Sequence, residues 1–274
     1  MRAALAALAL GLAAAPPAGA QALVDPGGRP TVQLRTRPEA AGDVYRYRSE
    51  TRFVQKDDQG GQTQSNTLTF DLEVLGEASD GQRLRYTLRE GRLEDSGGAS
   101  MSAAMDAAVG GSLDFRIRHG RIVAVENWPE YRTRLLARVD AALPAADPVR
   151  ALIHERMANP PLAAAQEMVL GDVIILAMME PQGALPLGLT ALADPTASKA
   201  TLDVRVARPG CVVGLERQTN REAAGVVRAT VSKAELAIGD GRVLTLEERR
   251  VTRAPGGSQE ETVTIRRLGA PPAC

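Results

Sequence analysis

The chain has few of the residues from which catalytic sites are built. Only two histidines occur among 274 residues, His119 and His154. No nucleophile-elbow, zinc-protease, P-loop, EF-hand or dinucleotide-binding motif is present. The motif-borne signals for hydrolases, metalloproteases and nucleotide-dependent enzymes are therefore missing. We expect a protein that is not an enzyme and that has no cofactor and no metal site.

Neither histidine is a strong catalytic candidate. His119 precedes Gly120 in a predicted hairpin turn, where a polar residue tolerates unusual backbone angles. His154 lies on a predicted amphipathic helix and is the better candidate for a general base. An unrecognised hydrolase, built on His154 or on a buried pair of carboxylates, stays open as an alternative.

The chain also lacks an excess of charge of either sign. It has 33 basic and 33 acidic side chains, which gives a formal net charge of zero. A nucleic-acid binder normally concentrates positive charge in order to displace counterions. Lysine is scarce, since Lys56, Lys199 and Lys233 are the only ones, and genomic bias explains this as well as chemistry does. We expect no nucleic-acid partner.

The first twenty residues are typical of a secretory signal peptide. Arg2 precedes an apolar run over residues 3–15, prolines 16 and 17 break the run, and residues 18–20 have the small-x-small pattern of a cleavage site. As a helix the run reaches only about 20 Å, short of a hydrocarbon core of about 30 Å. We expect cleavage near Ala20, a periplasmic or secreted protein, and no stable membrane anchor.

Cysteine is nearly absent, and both copies follow the predicted signal peptide. In an oxidising compartment an even pair is expected to form a disulfide, here between Cys211 and Cys274. Such a bridge would close a loop of about sixty residues and stabilise the fold by about 4 kcal/mol. A redox-active pair is less favoured because the chain has no C-x-x-C motif.

Hydrophobic periodicity predicts two β-rich halves with helices between them. Alternation with a period of two predicts strands in the first half, at 45–53, 68–74, 84–88, 113–117 and 121–125. A spacing of three and four residues predicts helices at 100–109 and from 128 to about 180, and Asp147 with Pro148 indicates a helix start. Strands return from residue 199 to the end. Residues 170–179 are apolar on every side, so helix and buried strand both stay open.

The predicted fold class is α+β and mainly β, with a curved antiparallel sheet or unclosed barrel and a helical insertion that acts as a lid. The predicted domains are a signal peptide over 1–20, a flexible leader over 21–42, and a single β-rich domain over 43–274. The helical insertion lies at about 128–180.

Large, soft side chains are unevenly distributed along the chain. All eight aromatic residues fall within 45–131, and the six methionines beyond the signal peptide fall within 101–179. Aromatic residues bring area and shape, methionine brings adaptable packing, and surfaces that accept varied apolar ligands use both. An ordinary role in the hydrophobic core stays open for the same residues.

Two β-segments that flank a helical lid in an exported chain resemble the periplasmic lipoprotein-carrier and lipid-carrier families of the LolA and LppX type, which are unclosed barrels. In those families a curved sheet forms a hydrophobic wall, and helices close it over acyl chains. The resemblance implies that five aromatic residues form the wall and four methionines the plug: Tyr47, Phe53, Phe70, Tyr86 and Phe115, and Met157, Met168, Met178 and Met179. Residues 42–47 and 80–86 also resemble secreted bacterial families of unassigned function.

The leading hypothesis is an exported protein without enzymatic activity that binds a lipid or another apolar ligand under a helical lid. The main alternative is a structural or assembly partner of another cell-envelope protein. That partner would contact the arginine-bearing strand face at Arg83, Arg85 and Arg89.

Overall fold

The computed structural model describes residue 25 and residues 27–57, 60–94, 98–158, 162–194 and 197–269. The predicted signal peptide over 1–20 and Cys274 lie outside the described residues. The signal peptide, its cleavage site and the Cys211–Cys274 bridge therefore stay predictions.

The described residues form thirteen strands and four helices. The strands are β1 (Thr31–Gln33), β2 (Val44–Asp57), β3 (Gly60–Ala78), β4 (Gly81–Glu94), β5 (Ser112–Arg118), β6 (Arg121–Val125), β7 (Ala184–Pro186), β8 (Gly188–Ala191), β9 (Lys199–Arg208), β10 (Val212–Ala223), β11 (Val226–Ala237), β12 (Val243–Ala254) and β13 (Gly257–Leu268). The helices are α1 (Gly98–Ala108), α2 (Trp128–Ala142), α3 (Pro148–Ala158) and α4 (Leu162–Met179).

Eleven of these strands make one antiparallel sheet. Its order is β6-β5-β4-β3-β2-β13-β12-β11-β10-β9-β8, while β1 and β7 form a separate two-stranded ribbon. β2 pairs with β13, so the first and the last long strands join the two β-rich halves at the middle of the sheet. In the described part of the chain the outermost strands, β6 and β8, do not pair with each other, and the sheet is not closed into a barrel. The predicted fold class is confirmed.

The strands form where the sequence alternates, and alternate residues face opposite sides. On β2 the buried positions are Tyr45, Tyr47 and Ser49, and the residues between them are exposed. We call the face that carries Tyr47 the inner face, and the opposite side the outer face. The helix α4 lies against the inner face, since Glu180, directly after the helix, bonds to Tyr47 and to Arg242.

Local turn and capping residues act as the sequence indicates. The Asp147 carboxylate accepts a hydrogen bond of 2.8 Å from the Val149 N–H, and it thereby caps α3. His119 and Gly120, with φ of 49° and 71°, turn the β5–β6 hairpin. A Cβ on Gly120 would lie 3.0 Å from the carbonyl oxygen of Ala177, so this turn sits tightly against α4.

Residues 170–179, for which helix and strand were both open, are helical and belong to α4. The helix is interrupted at Leu170, where φ is −110° and ψ is 18°. Val173, Ile175 and Leu176 lie on different sides of the helix and are all buried, as is typical of a helix enclosed by the protein on several sides. Its uniformly apolar sequence therefore reflects burial and not strand pairing.

The remaining helices and the leader segment flank this arrangement. The helices α2, α3 and α4 lie within residues 128–179. In the described part of the predicted leader, β1 pairs with β7 and Leu34 is fully buried. The division into a flexible leader and a single domain stays a prediction. Of the described helices, none combines the length and the apolar character needed to cross a membrane.

Candidate functional site

A cavity of about 630 Å³ lies between α4 and the inner face of the sheet. Its size falls within the range of small-molecule sites, about 300–1,000 Å³. The roof is the helix α4, which contributes mainly apolar side chains: Met168, Val169, Ile174, Ile175 and Met178. The floor comes from β2, β3 and β10–β13.

The inner face changes from apolar to polar along the strands. Next to the core, one cross-strand row is apolar and buried, and it consists of Leu215, Ala234, Leu246 and Ile265. The three rows beyond it are mostly polar. The first consists of Arg217, Ser232, Glu248 and Val263, the second of Thr219, Thr230, Arg250 and Glu261, and the third of Arg221, Arg228, Thr252 and Gln259. The polar rows line the cavity and the apolar row does not, so a mainly polar floor lies opposite the mainly apolar roof on α4.

Three of the nine predicted ligand-lining residues line this cavity: Phe53, Met168 and Met178. The other six are buried in the hydrophobic core and are absent from the lining: Tyr47, Phe70, Tyr86, Phe115, Met157 and Met179. Ligand binding by any of the nine stays a prediction.

The aromatic residues of the first half pack against one another instead of lining open space. The rings of Tyr47 and Phe70 stack with their centroids 5.6 Å apart, and those of Phe70 and Tyr86 lie 5.3 Å apart. Cross-strand pairs of this kind stabilise the sheet itself. Tyr47, Phe70 and Tyr86 therefore have the role in the hydrophobic core that the sequence left open for them.

The polar floor is a feature that the sequence patterns did not predict. On β10 the inner-face residues run from Val213 and Leu215 to Arg217, Thr219 and Arg221, so two apolar residues are followed by three polar ones. A half-buried strand normally keeps one face apolar along its length. The change of character along one face was therefore the signal that could have located the floor.

Two of the four arginines in the lining are ion-paired. Arg250 lies 2.5 Å from the Glu248 carboxylate and 3.0 Å from that of Glu261. Arg221 lies 3.0 Å from Asp194. The second oxygen of Glu248 accepts a hydrogen bond of 2.6 Å from the Ser232 hydroxyl.

Asp172 is an ionisable residue in the middle of the apolar roof. Its side chain borders the cavity and is half-buried. Burial raises its pKa to about 6, and repulsion from Glu261 acts in the same direction. The Ser49 hydroxyl and Arg250 oppose this rise. The cavity therefore contains a carboxyl group that titrates near neutral pH.

A second group of charged residues lies at the other end of the inner face, around Arg242, whose side chain is only 2% exposed. Its guanidinium donates hydrogen bonds to Glu39 and to Glu180, both at 2.6 Å, and to Gln82 at 3.0 Å. Burial alone would raise the pKa of Glu39, but Arg242, Gln82 and Arg35 hold it at about 2. This network ties the end of α4 to the sheet, and its charges are compensated.

The two histidines lie away from the cavity lining. The His154 ring is partly exposed on α3, with its Nε2 2.7 Å from the Asp140 carboxylate. His119 lies in the β5–β6 turn. Among the described residues, no group of three or more histidine, cysteine and acidic side chains could hold a metal ion.

The arginines proposed to contact an envelope protein are paired within the protein. On the outer face, Arg83 lies 2.6 Å from Glu126, Arg85 lies 2.7 Å from Asp114, and Arg89 lies 2.7 Å from Asp71. Each guanidinium already has a carboxylate partner on its own surface. The pairing leaves no unmatched charge among these three residues to recruit a partner.

The fold is similar to that of part of lipovitellin, in a structure that describes lipid–protein interactions in that protein. The two share 9% sequence identity with a TM-score of 0.54, over 86% of this chain and 26% of the lipovitellin chain. The chain thus spans about a quarter of the length of that protein. At this identity the likeness is one of fold alone, and at that level the predicted resemblance to lipid carriers is confirmed.

A domain from Vibrio parahaemolyticus, described as that of an outer membrane lipoprotein-sorting protein, was also matched. It shares 10% identity over 85% of this chain and 88% of that domain, with a TM-score of 0.20, which is too low to indicate a shared fold. No protein-family model and no curated protein matches the chain.

Proposed function

We propose that this is an exported protein without enzymatic activity that holds an amphipathic lipid between α4 and the inner face of its sheet. The observation that carries the proposal is the cavity with two unlike walls, an apolar roof on α4 and a polar floor on β10–β13. The signal-peptide pattern of residues 1–20 supports export. The fold shared with lipovitellin, a protein with known lipid–protein interactions, supports a lipid as the ligand.

The two walls require different parts of one ligand. Contact between hydrocarbon and apolar side chains such as Ile174 and Met178 favours binding, because the burial of apolar surface contributes about 25 cal/mol per Å². A pure hydrocarbon that filled the cavity would also cover the polar floor. The polar side chains of the floor would then lose their contact with water and gain no hydrogen-bond partner, which costs free energy. An amphipathic molecule satisfies both walls, and this is why the proposal names a lipid with a polar head group.

The positions of the two histidines bear on the alternative of a hydrolase built on His154. The cavity is lined by arginine, threonine and acidic side chains, and neither histidine is among them. The partly exposed His154 has Asp140 as its hydrogen-bond partner and is not among the residues that line the cavity. A His154→Ala variant is accordingly expected to bind lipid as the unchanged protein does.

Native mass spectrometry of the protein, purified gently from its own cell envelope, tests the proposal. We expect a bound lipid that organic extraction removes. The matched variants are Gly171→Trp, at a cavity-lining position where a Cβ meets nothing within 4 Å, and Ala164→Trp, at an exposed position of the same helix. Gly171→Trp should lose the lipid and Ala164→Trp should keep it. A folded protein without any bound lipid, or equal occupancy in both variants, would overturn the proposal.

A further inference from the structure

The charges that line the cavity are separated between its two sides. Four arginines and four acidic residues contribute to the lining. Three of the arginines, Arg217, Arg221 and Arg228, lie on β10 and β11. All four acids lie elsewhere, on α4, β12 and β13: Glu167, Asp172, Glu248 and Glu261. The part of the floor on β10 and β11 is therefore positive.

Two of these arginines are not neutralised by the protein. Arg250 and Arg221 have carboxylate partners, but Arg217 and Arg228 have none within 4.0 Å among the described residues. The Nε of Arg217 is buried without a hydrogen-bond partner. Its Nη1 donates only to Met178 Sδ, at 3.2 Å, and a thioether is a weak acceptor. Arg217 thus retains donors for which the protein supplies no strong acceptor.

The strand register places further donors between these two arginines. Thr219 lies directly opposite Thr230, and Arg221 lies directly opposite Arg228 on the same face. Like charges in direct opposition are unfavourable, and of this pair Arg221 is neutralised by Asp194 while Arg228 has no carboxylate partner among the described residues. Successive inner-face rows are about 7 Å apart along a strand. Long arginine side chains can therefore reach the space above the two threonine hydroxyls from both sides.

We propose that Arg217, Thr219, Arg228 and Thr230 form a head-group site for an oxyanion, a carboxylate or a phosphate, of an amphiphile whose apolar chain lies under α4. The inference deepens the proposed function and rests on it. Guanidinium groups match carboxylate and phosphate oxygens in a planar, two-pronged geometry, and hydroxyl groups add single donors. The contact between Arg217 and Met178 places the site directly beside the apolar roof, so one molecule can occupy both.

Titration of amphiphiles of equal chain length into the delipidated protein tests this site, with displacement of a fluorescent fatty acid as the signal. The probes are palmitate, palmitoyl lysophosphatidic acid, hexadecanol and inorganic phosphate. The unchanged protein should bind at least one of the two anionic amphiphiles about tenfold or more tightly than hexadecanol. Inorganic phosphate alone should displace the probe only weakly, because it lacks the apolar chain.

Three variants assign the preference to the site. Arg217→Gln and Arg228→Gln should each weaken binding of the preferred anionic amphiphile about tenfold and leave hexadecanol binding unchanged. Unchanged hexadecanol binding also verifies that each variant is folded. The control is Arg266→Gln, an exposed arginine on the outer face of β13, which should change neither.

Each contrary result overturns a different statement. Equal binding of hexadecanol and both anionic amphiphiles by the unchanged protein would remove the head-group site and leave lipid binding intact. Inorganic phosphate that competes as well as lysophosphatidic acid would indicate a site for a free ion, which contradicts the amphiphile. A folded protein that binds no amphiphile at all would overturn the proposed function and the head-group site with it.

Discussion

Arginines at the two ends of the inner face have opposite surroundings. At the core end, around Tyr47, Phe70 and Arg242, the Arg242 guanidinium has strong acceptors in Glu39, Glu180 and Gln82. At the cavity end, around Phe53, Arg217 and Arg228, Arg217 keeps a buried donor without a partner. A charged group whose partners are all supplied by the protein stabilises one conformation. A charged group that lacks them beside a cavity indicates a ligand.

Removing the charge at the core end should have the largest effect. Arg242→Met leaves two buried carboxylates, Glu39 and Glu180, without their main partner, and we expect a loss of about 5 kcal/mol in the free energy of unfolding. Arg217→Met, the matched change at the cavity end, should alter stability by less than about 1 kcal/mol. Urea denaturation followed by circular dichroism measures both. Similar losses of unfolding free energy in the two variants would mean that the two arginines do not differ in their contribution to stability.

Two uncharged aromatic residues, Phe70 and Phe53, allow the core end and the cavity end to be compared in the same way. Phe70→Ala removes a fully buried ring that contacts Tyr47 and Tyr86, and we expect it to cost about 4 kcal/mol. Phe53→Ala, at a half-buried position that lines the cavity, should cost about 1 kcal/mol or less in the lipid-free protein. The denaturation midpoints of the two variants test this. A larger loss of stability for Phe53→Ala than for Phe70→Ala would contradict the assignment of the hydrophobic core to the end around Phe70.

Asp172 should make the cavity end sensitive to pH. Its pKa is raised from an ordinary value of 3.8 to about 6, so the folded protein binds more protons than the unfolded chain between these values. Stability therefore falls as pH rises through this window, by up to about 3 kcal/mol at about 1.4 kcal/mol per pKa unit. Asp172→Asn should recover that amount at pH 7.5 and gain almost nothing below pH 4.

The control for this titration is Asp140→Asn, because Asp140 is an exposed acid whose pKa is lowered by His154 and Arg150. That change should not stabilise the protein at pH 7.5. Denaturation of the lipid-free variants at both pH values provides the test. An equal gain for Asp172→Asn at pH 4 and at pH 7.5 would contradict an ionisation effect.

Local patterns predicted strands β2–β6 and β9–β13, the β5–β6 turn and the cap at Asp147, because each depends on residues a few positions apart. The short strands β1, β7 and β8 were not predicted. The network of Arg242 could not be predicted in this way, since its partners Glu39 and Glu180 lie 203 and 62 residues away in the chain. The alternation of apolar and polar residues locates a strand's face. It does not say which part of that face a helix covers, so it could not separate Phe53, which lines the cavity, from Tyr47 and Phe70, which pack in the core, and it did not indicate the polar floor.

Hydrogen exchange with and without a bound amphiphile tests the difference between the two ends most directly. Residues 167–179 of α4 and the inner-face segments of β10 and β11 should exchange more slowly when palmitate or palmitoyl lysophosphatidic acid is bound. Exchange around Arg242, at residues 236–246, should stay the same, because its partners are already in place. Equal protection at both ends, or no change at either, would contradict the account.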